Sequence, residues 1–131
     1  MPSKSSVDSK MIAVNRKARR DYTIEDSLEV GIVLTGTEVK SLRAGRANIG
    51  DAYAYEKGGE IYLQNAHISE YFAGNFQNHE PNRSRKLLLR SREISRLIGK
   101  LKRGGVTLVP LSLYFNSRGI AKIELAIAVG K

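Results

Sequence analysis

The fold of this chain is decided by its last stretch, Lys122-Ile123-Glu124-Leu125-Ala126-Ile127-Ala128-Val129. Large apolar residues alternate there with small or charged ones, which is the two-residue period of a half-buried β-strand. A turn at Asn116-Ser117-Arg118-Gly119 separates it from an earlier apolar strand that runs from Val106 to Phe115. That strand contains Pro110, which cannot donate a backbone hydrogen bond, so we expect it to lie at an edge or a bulge.

Further strands are predicted upstream of this pair. Apolar residues recur at even positions in the first part of residues 22–34, which predicts a long strand, bulged near Asp26. Two strands, over residues 49–56 and 60–68, flank Lys57-Gly58-Gly59. Two glycines between alternating apolar runs are typical of a tight hairpin.

One helix is predicted where Thr35 and Glu38 have the Thr-x-x-Glu spacing of a capping box. It should run from about residue 36 to residue 43. Lys40 and Arg43 are three residues apart in it and so lie on a shared face.

A second helix follows the long loop predicted for residues 73–86. Ser91 is the expected cap, apolar residues then repeat at i, i+3, i+4 and i+7, and Gly104-Gly105 stops the helix. Many short strands with two or three α-helices indicate a mainly β fold. We predict a small, closed or partly open antiparallel barrel of the oligonucleotide-binding type.

The charge of the chain is distributed unevenly. The net charge is +9, but residues 83–103 hold nine Arg or Lys and one acid, whereas residues 21–82 are net −6. Like charges so close together repel unless a polyanion neutralises them. The segment Arg85-Lys86-Leu87-Leu88-Leu89-Arg90 adds an apolar core, so the basic ridge is folded and is expected to meet phosphates.

Length and composition fit one domain. Residues 1–14 are rich in Ser and Lys, and we expect a flexible N-terminal arm followed by a single RNA-binding barrel over residues 15–131. The absence of cysteine excludes disulfides and thiol catalysis. No apolar run approaches the roughly 18 residues that a membrane helix needs. We therefore expect a cytoplasmic protein without a membrane partner.

Catalysis has little support in the sequence. His67 and His79 have no closely spaced Asp, Ser or His partner. The glycine pairs lack the Lys and Ser/Thr of a phosphate-binding loop, and no metal-ligand spacing is visible. We expect neither an enzyme nor a cofactor or metal.

Two residues have competing interpretations. Glu38 fits a helix cap, but an acid among basic residues can also accept hydrogen bonds from RNA bases or ribose. Leu88 belongs to a leucine triplet that is core by default, and it can pack on an unstacked base if it is exposed.

Several longer motifs closely resemble the small protein B family, the tmRNA-binding (SsrA-binding) proteins of bacterial trans-translation. The resemblance runs from about Asn15 to Lys131 in order and spacing. The motifs are Asn15-Arg16-Lys17-Ala18, Gly36-Thr37-Glu38-Val39-Lys40-Ser41-Leu42-Arg43-Ala44-Gly45, Arg85-Lys86-Leu87-Leu88-Leu89, Leu111-Ser112-Leu113-Tyr114-Phe115-Asn116 and Arg118-Gly119-Ile120-Ala121-Lys122.

The resemblance implies an oligonucleotide-binding-like antiparallel β-barrel of about six strands with three helices. It also implies a non-catalytic adaptor. Such proteins bind the tRNA-like domain of tmRNA and help to deliver it, with elongation factor Tu and GTP, to stalled ribosomes. By motif position, Glu38, Leu88 and Lys122 match places that the family uses for tmRNA binding. The full set of RNA-binding residues that we expect is Asn15, Arg16, Lys17, Glu38, Lys40, Arg43, Arg85, Lys86, Leu88, Arg90 and Lys122.

The sequence departs from the family pattern in three places. Arg90 stands where the family often has Asn or another polar residue, so we expect it to act through phosphate or stacking contacts. Arg20 stands where many relatives have His. The family's basic C-terminal tail is absent after Gly130-Lys131, and we expect a truncated form that binds tmRNA without supporting peptide tagging.

The alternative hypothesis is a generic oligonucleotide-binding module, inferred from a barrel and basic charge alone. Replacing Glu38 by alanine is expected to separate the two, because a generic binder loses nothing and the adaptor loses tmRNA affinity. A small RNA hydrolase is a third class, which intact RNA after long incubation would exclude.

Overall fold

Nine strands and three helices make up the described part of the chain, which is residues 9–72 and 77–131 of a computed structural model. The strands are β1 (Lys10–Val14), β2 (Tyr22–Ile32), β3 (Ala47–Asn48), β4 (Tyr53–Lys57), β5 (Glu60–Gln64), β6 (His67–Ile68), β7 (Arg85–Leu88), β8 (Thr107–Phe115) and β9 (Ala121–Gly130). The helices are α1 (Ala18–Asp21), α2 (Gly36–Arg43) and α3 (Ser91–Arg103).

Six antiparallel strands close into a barrel in the order β8-β4-β5-β7-β2-β9, and β9 pairs back onto β8. Strand β1 lies outside this ring. It pairs with residues 112–115 of β8, on the edge that also meets β4 at Leu108. Strands β3 and β6 form a separate pair. The prediction of a mainly β, antiparallel barrel of about six strands is confirmed.

The last strand is buried on both of its faces. Ile123, Leu125 and Ile127 point into the barrel, as predicted from the alternation. Ala126 and Ala128 point outward but are also buried, in a cluster with Ala18 of α1, Val109 and Leu111. The small side chains at the outward positions are therefore explained by a helix that packs on the outside of the sheet.

The predicted irregularities of the long strands are confirmed. The register of β2 against β9 shifts between Ile24 and Asp26. That of β8 shifts between Pro110 and Ser112, where proline interrupts the ladder. The hairpin turn between β4 and β5 is also confirmed, with positive φ angles of 61° at Gly58 and 81° at Gly59.

Helix α2 has the predicted bounds and capping box. The Thr35 N–H donates to Glu38 Oε1 over 2.8 Å, and the Glu38 N–H donates to Thr35 Oγ1 over 3.3 Å. Helix α3 packs its predicted apolar stripe on the core, with Leu97 fully buried. The predicted cap of α3 was wrong by one residue: Arg90 is the cap, and its N–H donates to Glu93 Oε1 over 2.9 Å.

Two segments predicted to be irregular contain strands. Residues 10–14 of the predicted N-terminal arm form β1 against β8, so the boundary of that arm was wrong. Residues 85 and 86, at the end of the predicted loop, form β7 with the two leucines that follow, between β5 and β2. Both strands are only four or five residues long, so their pairing partners reveal them. Residues 1–8 of the arm and 73–76 of the loop lie outside the described residues.

Candidate nucleic-acid interface

A row of outward-facing residues crosses the barrel near the end of β2. Gly31 lies opposite Leu88 of β7 on one side and opposite Lys122 of β9 on the other. Lys122 in turn lies opposite Tyr114 of β8. We call Leu88, Gly31, Lys122 and Tyr114 the Leu88 row. Because strands are about 4.8 Å apart, Leu88 and Lys122 are separated by about 10 Å.

The Leu88 row combines an exposed apolar side chain with positive charge. Leu88 is 53% exposed, although its neighbour in the leucine triplet, Leu87, is fully buried. Gly31 is buried because the Leu88 side chain packs over it, and a Cβ at Gly31 would lie 3.2 Å from Leu88 Cβ. Such a surface suits an unstacked base with its phosphate beside a lysine.

Basic residues flank the Leu88 row on β7. Lys86 faces outward two residues before Leu88, with its Nζ 3.8 Å from Glu60 Oε2. Arg90 is exposed where α3 begins. The Val33 N–H donates to the Lys86 carbonyl oxygen, so the exposed Val33 lies alongside Lys86 and extends the apolar part of this surface.

Beneath this surface, the Glu38 carboxylate of α2 is paired with two arginines, one just before β7 and one at the first position of β7. Arg85 Nε donates to Glu38 Oε2 over 2.6 Å, and both side chains are fully buried. Arg83 Nη2 donates to Glu38 Oε1 over 2.7 Å from a side chain that is 32% exposed. The Arg85–Glu38 ion pair connects β7 to α2, although the two residues are 47 positions apart in the sequence.

The remaining donors of Arg85 are bonded to backbone carbonyls. Its Nη1 donates to the Ala66 oxygen over 2.8 Å, and its Nη2 donates to the Pro81 oxygen over 3.0 Å. Burial raises the pKa of Glu38, but hydrogen bonds from Arg83, the Thr35 N–H and Arg85 outweigh it, so that pKa is lowered overall. Burial lowers the pKa of Arg85, and Glu38 opposes that shift.

This geometry corrects two of the predicted RNA contacts. Arg85 is 0% exposed, so its guanidinium cannot neutralise a phosphate, and it acts as an internal partner of Glu38. Glu38 is also 0% exposed and accepts from a cap and two arginines, so it has no surface for a base or a ribose. Both residues support the surface of the Leu88 row from below.

The predicted residues of α2 lie apart from the Leu88 row. Lys40 and Arg43 are exposed, and the Lys40 ammonium lies 5.7 Å from the centre of the Tyr71 ring. This is a cation–π distance. The helix therefore presents a second basic surface, beside an aromatic side chain.

The predicted N-terminal residues lie at the far end of β2. Arg16 and Lys17 are exposed, and Lys17 Nζ donates to Asp51 Oδ1 over 2.9 Å. Asn15 is only 7% exposed, and its Nδ2 donates to the Pro110 carbonyl over 3.0 Å. The Arg20 Nε contacts Asp21 at the surface. This corner is separated from Gly31 by most of the length of β2.

The two histidines lie apart. His79 is buried, with Nε2 2.8 Å from the Ile68 oxygen and Nδ1 2.9 Å from Thr37 Oγ1. His67 is exposed beside Asn82. In residues 9–72 and 77–131, no three His, Cys, Asp or Glu side chains are grouped as metal ligands. No helix in the same residues has the length and apolarity to span a membrane.

A family model described as "SmpB protein" matches residues 12–131. The chain belongs to the SmpB family. An SsrA-binding protein of Acidothermus cellulolyticus is 65% identical over 122 residues, which is 93% of this chain and 76% of that relative. One of Bradyrhizobium diazoefficiens is 57% identical over 131 residues, which is 100% of this chain and 83% of that relative.

A solved structure also resembles this SmpB-family chain. It is described as "tmRNA-SmpB: a journey to the center of the bacterial ribosome", and its sequence is 51% identical to this chain. The TM-score is 0.74, and the match covers 90% of this chain and 82% of that chain.

Sequence reasoning missed two residues of this SmpB surface. Gly31 lies beneath the Leu88 side chain, and the available signal was a glycine inside a strand, which often marks a close approach. Arg83 was counted only as positive charge, whereas it donates to Glu38 and to the Val33 oxygen. No local pattern signals a partner 45 positions away.

We expect that replacing Gly31 by alanine weakens RNA binding about fivefold with little loss of stability. A Cβ at this position would lie 3.2 Å from Leu88 Cβ, and the exposed Leu88 can move by the few tenths of an ångström required. That movement displaces the Leu88 side chain from its place in the row. RNA titration and urea unfolding test this, and Gly130→Ala is the control because no heavy atom lies within 4 Å there. Unchanged RNA affinity would contradict it.

We expect Glu38 to make the SmpB fold sensitive to acid. Because its folded-state pKa is below the ordinary value of 4.5, its ionised form stabilises the fold fully above pH 4.5. That stabilisation is lost as the pH falls below 4.5 toward the folded-state pKa. Urea midpoints between about pH 7 and pH 3 should therefore fall less steeply in Glu38→Gln than in the wild type. Glu25→Gln, at an exposed position of β2, is the control, and parallel curves for Glu38→Gln and wild type would refute the role.

Proposed function

We propose that this protein is a non-catalytic adaptor that binds tmRNA through the Leu88 row and its basic neighbours. The observation that carries the proposal is the placement of Leu88 and Lys122 on either side of Gly31, on the outer face of an SmpB-family barrel. The SsrA-binding names of relatives that are 57–65% identical support the RNA partner. The match to a tmRNA-SmpB structure on the ribosome supports the ribosome as a second partner.

The finer steps of the proposal follow from this role. The RNA element is the tRNA-like domain of tmRNA, and the outcome is its delivery to stalled ribosomes in trans-translation. Elongation factor Tu with GTP is reached through the RNA rather than through a surface of this chain. The protein acts in the cytoplasm, where ribosomes are translating.

The proposed RNA contacts lie on separate surfaces of the barrel. The direct contacts on the β7–β2–β9 side are the exposed Leu88 and Arg90 and the half-buried Lys86 and Lys122. Lys40 and Arg43 of α2 offer further phosphate contacts. Arg16 and Lys17, at the opposite end of β2, belong to a separate basic corner. Glu38 and Arg85 act indirectly, because their ion pair holds α2 and β7 together.

The experiment is a pair of salt series. The protein is titrated with the tRNA-like domain of tmRNA and with an ordinary tRNA. We expect a preference for the tRNA-like domain that persists as salt is raised, because contacts to bases and to shape do not depend on counterion release. Equal affinities that fall together with salt would show a phosphate-driven oligonucleotide-binding module and would refute the adaptor proposal.

A further inference from the structure

The outer face of α3 carries positive charge that neither the core nor the Leu88 row uses. Residues 83–103 hold nine basic residues, and five of them lie on this helix. They are Arg92, Arg96, Lys100, Lys102 and Arg103. All are exposed except Lys100, which is half-buried. Because the apolar stripe of α3 packs on the core, these side chains lie on the solvent side of the helix.

This charge has few acidic partners. Arg96 Nη2 is paired with Asp26 Oδ2 at the bulge of β2, and the single acid of the helix, Glu93, accepts from the Arg90 N–H. The other four basic side chains of α3 form no ion pair within residues 9–72 and 77–131. Like charges three or four residues apart on a helix repel each other, so the row costs stability within the chain. An anionic partner outside the chain would relieve that repulsion.

A glycine lies in the middle of this face. Because a helix turns once in 3.6 residues, Gly99 falls on the same side as Arg92 and Arg103, within about 40° of arc. Its backbone is ordinary helix, and a Cβ there would meet, among the described residues, only Arg103 Nη1 at 4.0 Å. Packing within the chain therefore does not require glycine, although glycine weakens a helix interior. Its missing side chain lets a ligand approach the helix backbone closely.

The spacing of the basic side chains fits a sugar-phosphate backbone. Arg92, Arg96 and Lys100 follow one another at four-residue intervals, so each step advances about 6 Å along the helix axis. Successive phosphates of an extended RNA strand are a similar distance apart. Arg103 continues the row, and the helix of 13 residues is about 20 Å long. One RNA strand that lies along α3 therefore has a cation beside each of several phosphates.

The start of α3 joins this face to the Leu88 row. Arg90, the cap residue, is two residues after Leu88, and both are exposed. Arg96 contacts Asp26, five residues before Gly31, so the helix leads away from the row along β2. The apolar side of α3 is already used by the core, which leaves no hydrophobic face for a membrane surface or a partner helix. Charge and position therefore both favour an RNA strand that also contacts Leu88.

We propose that the outer face of α3 is a phosphate-binding surface, along which a strand of tmRNA continues from the Leu88 row. Arg92, Arg96 and Arg103 contact phosphates, and Gly99 lets the strand approach the helix backbone. The inference rests on the proposed function, because it takes tmRNA to be the ligand. It adds a second surface, about 20 Å long, to the proposed RNA contacts.

Gly99→Ala is the sharpest test, because stability and RNA binding should change in opposite directions. Alanine is the better helix former, so the urea midpoint should rise. The added methyl group should hold the phosphates farther from the helix and weaken binding to the tRNA-like domain of tmRNA about threefold. Gly130→Ala, which adds a methyl group in open space outside α3, is the matched control. Unchanged affinity in Gly99→Ala would overturn the proposal.

A salt series with Arg92→Gln, Arg103→Gln and the double variant tests the phosphate contacts. Glutamine keeps the helix propensity and removes like-charge repulsion, so the urea midpoints should equal or exceed that of the wild type. The slope of log affinity against log salt should become less steep by about one for each arginine and by about two for both. Lys57→Gln removes the same charge from the β4–β5 hairpin. An equal change of slope in Lys57→Gln would show attraction by net charge alone, and the proposal would fail.

Two further titrations separate this inference from the proposed function. Wild type with the tRNA-like domain and with an ordinary tRNA reports on the adaptor role alone. If the wild type prefers the tRNA-like domain and the α3 variants bind it equally well, only the inference about α3 fails. The same variants are then titrated with small and large ribosomal subunits. Weaker binding to a subunit, with unchanged binding to tmRNA, would assign α3 to ribosomal RNA and overturn the proposal.

Discussion

Replacing Arg85 by methionine is expected to lower the free energy of unfolding by about 3–5 kcal/mol, because it leaves the buried Glu38 carboxylate with only one arginine partner. The change also removes the donors to the Ala66 and Pro81 oxygens. Replacing Glu38 by leucine is expected to cost a similar amount, since it leaves the Arg85 charge buried and unpaired.

The double variant Glu38→Leu/Arg85→Met should be more stable than the sum of the two single effects predicts. Neither partner is then left as an isolated charge, so the two changes couple. Urea unfolding of the wild type, both single variants and the double variant gives this coupling free energy. Lys17→Ala with Asp51→Ala forms the matched control cycle, because that exposed pair should couple by about 1 kcal/mol or less. Additive effects in the buried cycle would contradict the pairing.

This result changes how a Glu38→Ala variant is to be interpreted. The variant was expected to separate an adaptor from a generic module through loss of a direct RNA contact. Because Glu38 is buried between a helix cap and two arginines, its removal perturbs the position of β7, and with it Leu88. Lost RNA affinity in Glu38→Ala therefore reports on the support of the surface, and exposed residues must be used to test the contacts themselves.

Leu88→Ala and Lys122→Ala are expected to weaken tmRNA binding in two distinguishable ways. Loss of the Leu88 side chain removes a base contact, and we expect a reduction of about 1–3 kcal/mol in binding free energy that is unchanged across a salt series. Loss of Lys122 removes a phosphate contact. Binding should weaken at low salt, and the slope of log affinity against log salt should fall by about one.

Two controls keep this comparison specific. Lys57→Ala removes the same charge from the β4–β5 hairpin, and Val14→Ala removes a similarly exposed apolar side chain at the end of β1, opposite Ser112 and outside the Leu88 row. Both should bind tmRNA as the wild type does. If Leu88→Ala changes the salt slope, or if Lys57→Ala equals Lys122→Ala, the barrel binds by net charge alone and the Leu88 row is not the contact surface.

The sequence by itself determined the mainly β class, the long strands with their irregularities, and the bounds of the two longer helices to within one residue. Alternation over residues 121–130, the bulge at Pro110, the glycine turn at Gly58-Gly59 and the capping box of Thr35 are all local patterns. Each depends only on neighbours within a few positions, so the physics that sets it is readable from the chain. The motif blocks likewise led to the family that the comparisons show.

Only the tertiary structure decided which of the basic residues face outward. Arg83, Arg85 and Lys86 are nearly adjacent and chemically alike, yet Arg85 is buried and Lys86 lies at the surface. The difference arises because β7 pairs with β5 and β2, which turns alternate residues inward, and because Glu38 arrives from α2 to neutralise the inward charge.

The same reason explains the Leu88 row and the burial of Asn15. Leu88, Gly31 and Lys122 belong to three strands that are far apart in sequence, and only the register of the closed barrel aligns them. Asn15 is buried because its side-chain amide donates to the Pro110 carbonyl oxygen of β8, 95 positions away. Burial and pairing depend on partners that are distant along the chain, so residue types and spacing alone did not determine them.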